Sequence, residues 1–599
     1  MGQCAHRFDH FEGAGCERRA AVSLDQAKSR SSNAAVTGAR YHGDQDNRKL
    51  ADDYEVEGDR VLGTGLCGNV VLARGRIDRR CYALKTISKL QVAPSKLRQL
   101  TAEVEIYLTL DHPNIARLHD VYETDTEICL LTELCAGGEM YDRLQKRGVY
   151  TDADAASATR QMLRAVGHLH SRSVVHRDVK LENFLYESEA DAAQLKLIDF
   201  GFAKIWDPST LMLSSCGSAA YVSPDVLCGR GYTDKCDLWS IGVILWMILA
   251  GYPPFHGDER KIMASIKAGD PDWSHSKRWT GVSEEAIDLV RKLLQKAPDQ
   301  RLDAQQALQH PWMIRASDQT PQAKLSRDAL RSLQGFRQAS RLRRAVLQLL
   351  AQELEPEQTA ELRETFLAID RTNEGTICLW DLKEAIRNSA ACSPTGKRRR
   401  AFNFAEETES DFGTPMLASG SLGDSTPCSP SGYDSLSPTS CPTSPARTLR
   451  RANSKTLSEL FSVLDANGDQ RIYYSDFLAG TMEAQTRLRE EAVRATFRRL
   501  DADCSGTIGV SDVKAVFGET FNGADVEDFL QEMDPNEDGE FGYEVFARVM
   551  SNGDCVPTTP APLPPKTSKP LLLGGLLLGG PKSRLGLEPA LLGALLGGS

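Results

Sequence analysis

The sequence predicts an α+β domain of two lobes followed by an all-α domain of four helix–loop–helix hands. Three observations carry that expectation. A glycine-rich turn, Gly63-Thr64-Gly65-Leu66-Cys67-Gly68, joins two apolar β-like runs. Further on, the polar loop His176-Arg177-Asp178-Val179-Lys180-Leu181-Glu182-Asn183 is followed by Asp199-Phe200-Gly201. Last come four acidic twelve-residue loops, each between apolar helical repeats. At 599 residues the chain exceeds a single core, and length alone suggests about three to five domains.

Composition narrows the classes. A net charge of −11 disfavours a general nucleic-acid binder, because neutralising phosphates takes clustered Lys and Arg, and it suits a chain with several acidic cation sites. The 15 cysteines are scattered without CxxC pairs, and no secretory apolar segment opens the chain, so reduced thiols in the cytosol are expected. Leu238 to Ala250 is apolar but shorter than the roughly 20 residues a spanning helix needs, and reads as a buried core helix. Leu571 to Leu578 is shorter still and is interrupted by Gly574 and Gly575.

At the amino end, Met1-Gly2-Gln3-Cys4 offers Gly2 for myristoylation and Cys4 for palmitoylation, although His6 stands where Ser or Thr is usual. One acyl chain holds a membrane only marginally, so Cys4, or Arg7, Arg18 and Arg19, would supply the second signal. An unmodified tail is the competing reading. Residues 1–53 are polar, lack sustained periodicity and are expected to be a disordered tail.

From residue 54 to 312 the pattern becomes catalytic. The glycines at 63, 65 and 68, between Leu62 and Val70, make a turn whose backbone N–H groups can approach phosphates. A dinucleotide fingerprint would continue from strand and turn into a helix; here a second β-like run follows, and Tyr82-Ala83-Leu84-Lys85 then delivers a lysine. Leu97 to Leu110 has helical spacing and carries Glu103 and Glu105. With the H-R-D-x-x-x-x-N and D-F-G strings in this order, these motifs resemble the protein-kinase signature. The resemblance implies ATP and magnesium. It makes Asp178 the base that takes a hydroxyl proton, and Lys180 a neutraliser of phosphoryl charge, as in Ser/Thr kinases. Asn183 and Asp199 become magnesium ligands, and Lys85 a phosphate contact held by Glu103, with Glu105 left on a solvated face. Leu62, Gly63, Gly65, Gly68 and Val70 would cover the nucleotide. Leu131 to Cys135 looks like the hinge, with backbone groups of Glu133 and Cys135 reading adenine and Thr132 at the back of the pocket. Glu139 would take the ribose or a basic substrate residue, and Glu182 matches a second acidic position of that kind. Ser214 aligns with the activating phosphosite of related kinases, beside Ser215 and within reach of a site that includes Arg177. Asp225 stands where glutamate is usual and should pair with Arg301. Asp237-Leu238-Trp239-Ser240-Ile241-Gly242 and His310-Pro311-Trp312 complete the catalytic half.

From Leu325 to Leu354 the pattern is one basic amphipathic helix. Leu330, Leu333, Phe336, Leu342, Val346, Leu349 and Leu350 recur at helical spacing, with Arg331, Arg337, Arg341, Arg343 and Arg344 between them. Such a helix is of the calmodulin-target or membrane-surface type; a core helix is the alternative.

The acidic loops follow. A calcium loop places oxygen ligands at positions 1, 3, 5, 7, 9 and 12, with Gly at 6. Asp501, Asp503, Ser505, Thr507 and Asp512 around Gly506 fit best. Asp465, Asn467, Asp469, Arg471 and Asp476 come next, with Gln470 at the turn position. Asp534, Asn536, Asp538 and Glu540 open well, but Val545 takes the last ligand place. Asp370, Thr372, Glu374, Thr376 and Asp381 have the weakest opening triplet. None ends in Glu. Asp is one methylene shorter and more often offers a single oxygen, so calcium affinity of about 10⁻⁶–10⁻⁵ M or poorer is expected, with the third loop dominant.

Kinase motifs, basic junction and four loops, in this order, resemble the calcium-dependent protein kinases of plants and protists over about residues 54–550. The resemblance implies a two-lobed α+β protein kinase domain (54–312), an autoinhibitory junction helix (313–355) and an all-α calmodulin-like domain of four EF-hands (356–388, 455–485, 486–520 and 521–552). A Ser/Pro-rich insertion at 389–454 is expected to be disordered and phosphorylated, and residues 553–599 form a Pro/Leu/Gly-rich tail. The reading is a calcium-regulated Ser/Thr kinase using ATP, Mg²⁺ and Ca²⁺ on protein substrates, with the junction helix as an internal partner. Its expected place is the cytoplasm, at the membrane where Gly2 and Cys4 are acylated. Two rivals remain open here: an active kinase with calcium-insensitive loops, and a calcium-dependent pseudokinase scaffold.

Overall fold

A computed structural model describes residues 22–23, 27–28, 31, 34–43, 48–65, 68–212, 220–229, 231–317, 325–391, 457–465, 467–482, 490–517, 520–521, 524–525 and 539–550. The amino-terminal part of the catalytic half is a six-stranded sheet in the order β1-β5-β6-β4-β3-β2. A short helix α1 (Ala34–Arg40) leads into β1 (Tyr41–His42), followed by β2 (Tyr54–Gly65), β3 (Gly68–Gly75) and β4 (Cys81–Ser88). Helix α2 (Pro94–Leu108) then precedes β5 (Leu118–Glu123) and β6 (Glu127–Glu133). Strands β2 and β3 are a hairpin that closes at Gly65 opposite Gly68. Pairing Val70 with Lys85, and Lys85 with Leu130, fixes the lysine in the middle of the sheet. Alternation along β4 buries Tyr82, Leu84 and Ile87 on the sheet's faces, the pattern of a central strand. Proline in the first turn of α2 starts that helix without losing a hydrogen bond.

Residues 34–43 and 50–53 are ordered where a disordered tail was expected. Strand β1 pairs in parallel with β5, Tyr41 opposite Val121 and His42 opposite Tyr122. Val36, Ala39, Arg40 and His42 are buried. The Tyr41 hydroxyl donates to Glu123 at 2.6 Å, and the Arg40 guanidinium to Gln352. A seven-residue helix and a two-residue strand are too short to show periodicity and too short to be stable alone; burial against the rest of the chain orders them. Residues 1–21, with Gly2 and Cys4, lie outside the described residues.

The second lobe is built on α3 (Asp152–Ser171) and α4 (Lys235–Ala250). The Thr151 hydroxyl caps α3 by accepting from the Asp154 amide. Helix α4 is apolar all round and accordingly buried on every face, as the core-helix reading requires; Gly251, at φ +74°, ends it. Among the described residues no helix is long and apolar enough to cross a membrane. Between these helices lies a short hairpin, β7 (Phe184–Tyr186) with β8 (Leu195–Leu197).

The junction is two helices, α5 (Arg327–Gln338) and α6 (Arg341–Gln352), where one continuous helix was expected. Ala339 is extended at ψ 150°, and the Ser340 side chain accepts from the Arg343 amide, restarting the helix. A local cap therefore overrides a continuous apolar stripe. The stripe itself is buried: Leu330, Leu333, Phe336, Val346, Leu349 and Leu350 share a core with the second half.

The second half comprises α7 (Pro356–Ile369), α8 (Leu379–Ala391), a helix over 457–464, α9 (Tyr474–Thr481) and α10 (Glu490–Leu500). Strand β9 (Thr507–Gly509), α11 (Val510–Phe517), β10 (Glu540–Gly542) and α12 (Tyr543–Met550) complete it. The acidic loops are coupled in pairs. Ile377 and Ile472 exchange both backbone hydrogen bonds at 2.9 Å between loops one and two. Strands β9 and β10 join loops three and four. Residues 392–456, which hold most of the insertion, and 551–599 lie outside the described residues.

Candidate functional site

The polar loop after α3 is held from below by a buried carboxylate. Asp237, at the start of α4, accepts from the His176 and Arg177 amides at 2.9 Å each and meets His170 Nε2 at 2.9 Å. Burial alone would raise this carboxyl, but those hydrogen bonds and the imidazoles hold it below the usual carboxylate range. The sequence marked Asp237 as part of a signature without giving it this task. Arg177 adopts φ +67°, and its Nε donates to the Phe202 carbonyl at 2.6 Å.

On this platform Lys180 Nζ lies 2.6 Å from Asp178 Oδ2. Asn183 Nδ2 donates to the Asp178 carbonyl at 2.8 Å and lies 3.4 Å from its carboxylate. That commits the amide nitrogen and leaves the amide oxygen as the group offered to a cation. Asp199 follows β8 at φ +59°, a left-handed conformation that turns the next residue inward. Phe200 is fully buried between Tyr107 of α2, at 4.7 Å, and His176, at 5.2 Å between ring centres. The stack ties α2 to the catalytic loop, a link the sequence did not reveal.

Lys85 reaches the carboxylate expected of it, Glu103 Oε1 at 3.5 Å, and also Asp199 Oδ1 at 3.3 Å, a contact the sequence did not indicate. Burial pushes the Glu103 carboxyl up, opposed by Lys85; burial also acts on Asp199, but Lys85 and His176 hold it low. Glu105 is not on a solvated face: its carboxylate accepts from the Ser23 amide at 2.8 Å. Leu62, Gly63, Gly65, Gly68 and Val70 are in the β2–β3 hairpin, and Leu66 and Cys67 lie outside the described residues. At the hinge, the Glu133 amide donates to the Arg117 carbonyl at 2.9 Å, and its side chain turns away to Lys196 at 2.9 Å. Cys135 is partly buried just beyond. Glu139 stands at the N-cap position of the helix Met140–Arg147 without a side-chain capping bond, and burial, Asp142 and Glu182 together raise its carboxyl. Asp225 reaches Arg301 at 2.8 Å, with the arginine side chain wholly buried. Ser214 and Ser215 lie outside the described residues. The donors present suit magnesium and a nucleotide: carboxylates, an amide oxygen and a paired lysine.

The acidic loops differ in what their side chains do, although their backbones agree. Residues at the fourth and sixth positions are left-handed in loop one (Asn373, Gly375), loop two (Gly468, Gln470) and loop three (Cys504, Gly506). In loop three Asp501, Asp503 and Asp512 bring carboxylate oxygens within 4.8 Å of one another, a donor set that fits calcium. Asp512 also accepts from the Ala502 and Gly509 amides at 3.0 and 2.8 Å, and Ser505 and Thr507 share a hydroxyl contact at 3.2 Å. In loop two the Asp465 and Asp469 carboxylates accept backbone amides, Asn467 Nδ2 donates to Asp469 at 3.0 Å, and buried Asp476 accepts from Gln348 of α6 at 3.0 Å. In loop one Asp370 accepts from Thr372 and Gly375, and Asp381 from the Cys378 amide. Glu374 and Thr376, expected as ligands, turn their side chains to Arg471 of loop two, at 2.6 and 3.3 Å. Of loop four, Glu540 and Val545 are described; Asp534, Asn536 and Asp538 lie outside the described residues.

Contacts between the two halves had no signature in the sequence. Arg499 of α10 is buried against Asp120 of β5 and Glu353 at the end of the junction, at 2.6 Å to each. Arg498 meets Asp53 at 2.6 Å, and Ser475 binds Asp111 through amide and hydroxyl at 2.8 and 2.6 Å.

A lysine paired to a helix glutamate, an aspartate on a loop anchored by Asp237, and acidic loops coupled in pairs are the arrangement of a protein kinase joined to EF-hands. Residues 56–313 match the protein kinase domain, and residues 489–551 match an EF-hand domain pair. The chain is 31% identical over 503 residues to calcium-dependent protein kinase 34 of Arabidopsis thaliana, covering 83% of this chain and 84% of that one. It is 31% identical over 514 residues to calcium-dependent protein kinase 7 of Oryza sativa subsp. japonica, covering 85% and 83%. It is 27% identical over 515 residues to calcium-dependent protein kinase 3 of Plasmodium berghei, covering 84% and 80%. The chain belongs to the calcium-dependent protein kinase family. It is a calcium-regulated Ser/Thr protein kinase that uses ATP and Mg²⁺ and acts on protein substrates.

Proposed function

We propose that Asp178 orients the substrate hydroxyl and takes its proton as the oxygen attacks the terminal phosphorus. Lys180 neutralises charge on the phosphoryl group in flight, and Lys85, held by Glu103, fixes the nucleotide's phosphates. ATP, when bound, would supply the phosphoryl group and leave as ADP, and Asn183 and Asp199 would hold the magnesium that offsets the charge of its phosphates. The observations that carry this reading are the pairing of Lys180 with Asp178 at 2.6 Å and the sharing of Lys85 between Glu103 and Asp199. Asp178→Asn and Asp199→Ala should each lower phosphate transfer by a factor of at least about 10² while leaving calcium binding intact; near-normal transfer in either variant refutes the assignment.

Glu139, whose carboxyl is raised in part by Glu182, supports with it a preference for a basic residue upstream of the target hydroxyl. Two junction helices buried in the EF-hand core support a released arrangement, in which calcium holds the junction and its removal returns the junction to the kinase as an inhibitor. Acylation at Gly2 and Cys4 would bring the kinase to membranes. Gly2→Ala should then move it to the soluble fraction, and unchanged fractionation with no added mass on the wild-type terminus rejects acylation.

A further inference from the structure

We infer that the first acidic loop, Asp370–Asp381, is a metal-free clasp that fastens the EF-hand half to the kinase, with Arg471 standing where a cation would. The inner side of the loop is taken by protein. Arg471, the seventh residue of loop two, places Nη1 2.6 Å from the Glu374 carboxylate and 3.3 Å from the Thr376 hydroxyl. A guanidinium at that distance removes the fifth-position carboxylate and adds a positive charge that a divalent ion would have to displace. Loop one and loop three share their backbone turn, yet among the described residues only loop three's carboxylates converge as a set of three acids.

The outer side of the loop is taken by the kinase. Arg164 of α3 donates from Nε to the Asn373 side chain at 2.8 Å, and reaches the Leu367 carbonyl at 3.4 Å. His168, one turn further along α3, directs Nδ1 to the Glu374 carbonyl at 3.0 Å. Gly375 lies flat against two imidazoles: a Cβ there would fall 2.5 Å from His112 and 2.7 Å from His168, and its φ of +75° already favours glycine. Next door, Ser475 holds Asp111, and Arg172 lies over the Tyr473 ring at 5.0 Å. A loop gripped on both faces has no freedom to close round an ion, whereas the same contacts make a continuous seam with α3. Calcium responsiveness then rests with the other loops, above all loop three, and loop one acts as a fixed plate that stays attached to α3 whether calcium is bound or not.

The inference rests on the calcium-regulated reading only through loop three, and the two can fail separately. Calcium binding to the full chain, measured by calorimetry, should lose about one equivalent in Asp501→Ala and none in Asp370→Ala. A lost equivalent in Asp370→Ala overturns the clasp, whereas no change in Asp501→Ala speaks against loop three. Hydrogen exchange on the unmodified protein needs no variant. The Ile377 and Ile472 amides should keep the same protection in calcium and in chelator, and Arg471→Ala should lower it about tenfold or more in both. Protection of these amides that collapses in chelator, or is unmoved by Arg471→Ala, overturns the proposal.

Discussion

Arg499 offers the sharpest test of how the two halves are joined. Its guanidinium is buried and gives Nη1 to Asp120 and Nε to Glu353, at 2.6 Å each, with Nη2 at 3.3 Å from Asp120. Replacing it by methionine keeps the apolar stem and removes the charge. Two buried carboxylates then lose their shared cation. At an effective dielectric of about 20, one ion pair at 4 Å is worth about 4 kcal/mol of attraction, and desolvation offsets much of it. Removing one member of a buried pair nonetheless costs about 3–5 kcal/mol, because the remaining charge stays desolvated. His42 and Tyr54 also contact Asp120 and support the lower end of that range. The seam should therefore open a hundredfold or so more often, since about 1.4 kcal/mol is a factor of ten, read as faster hydrogen exchange of the β5 amides with α4 unaffected. The pH dependence has a definite sign. Burial raises the Asp120 carboxyl, but Arg499 and His42 hold it far below its ordinary value in the wild type. The pair's contribution is therefore present above the unfolded carboxylate pKa and lost only as strong acid reaches the folded one. Without Arg499, burial dominates and the folded pKa rises. The deficit of Arg499→Met should then be greatest at neutral pH and shrink on mild acidification, and Asp120→Asn in the same chain should recover part of it. An exchange rate within about threefold of wild type at pH 7 would refute the reasoning.

Three further outcomes are expected. Asp225→Ala strands the wholly buried Arg301 guanidinium and should destabilise the helical lobe by about 3 kcal/mol, with its remaining carbonyl contacts preventing a larger loss; exchange from α4 reads this directly. Glu139→Gln with Glu182→Gln should flatten the preference for upstream arginine in a peptide-library screen without abolishing transfer to the best peptide. Gln348→Ala releases the buried Asp476 carboxylate from α6 and should change the calcium concentration for half-activation, a titration of kinase activity being the check.

The candidate catalytic centre was legible because the chemistry proposed for it tolerates few residue types. Lys85, Glu103, Asp178, Asn183 and Asp199 were singled out by resemblance to the kinase signature, and the structure brings Lys85 to Glu103 and Asp199, and Asn183 to Asp178. The apolar run over Leu238–Ala250 likewise determined a buried helix. What the sequence hid was tertiary. Val36 to His42 is ordered by neighbours distant in the chain, so no local period marks it. The junction's break turns on one Ser340 cap against a stripe that runs straight through it. Loop one presents a plausible ligand series, and only Arg471, nearly a hundred residues away in sequence, alters what Glu374 does; the separation is 97 positions. Gln470, at φ +65°, shows the converse, a backbone conformation retained although the usual glycine is absent.

Strand β1 has a consequence for any shortened form of this enzyme. It covers the outer edge of β5, whose hydrogen-bonding groups would otherwise form an open margin of the sheet, and α1 behind it lies against α11 of the third EF-hand. A chain cut to begin at Tyr54 keeps every catalytic residue yet bares that margin, together with the apolar hollow that Val36 and Ala39 fill. Uncovered edges of this kind recruit strands from other molecules. The leading segment thus serves as a selvedge, finishing the sheet so that it does not unravel into its neighbours.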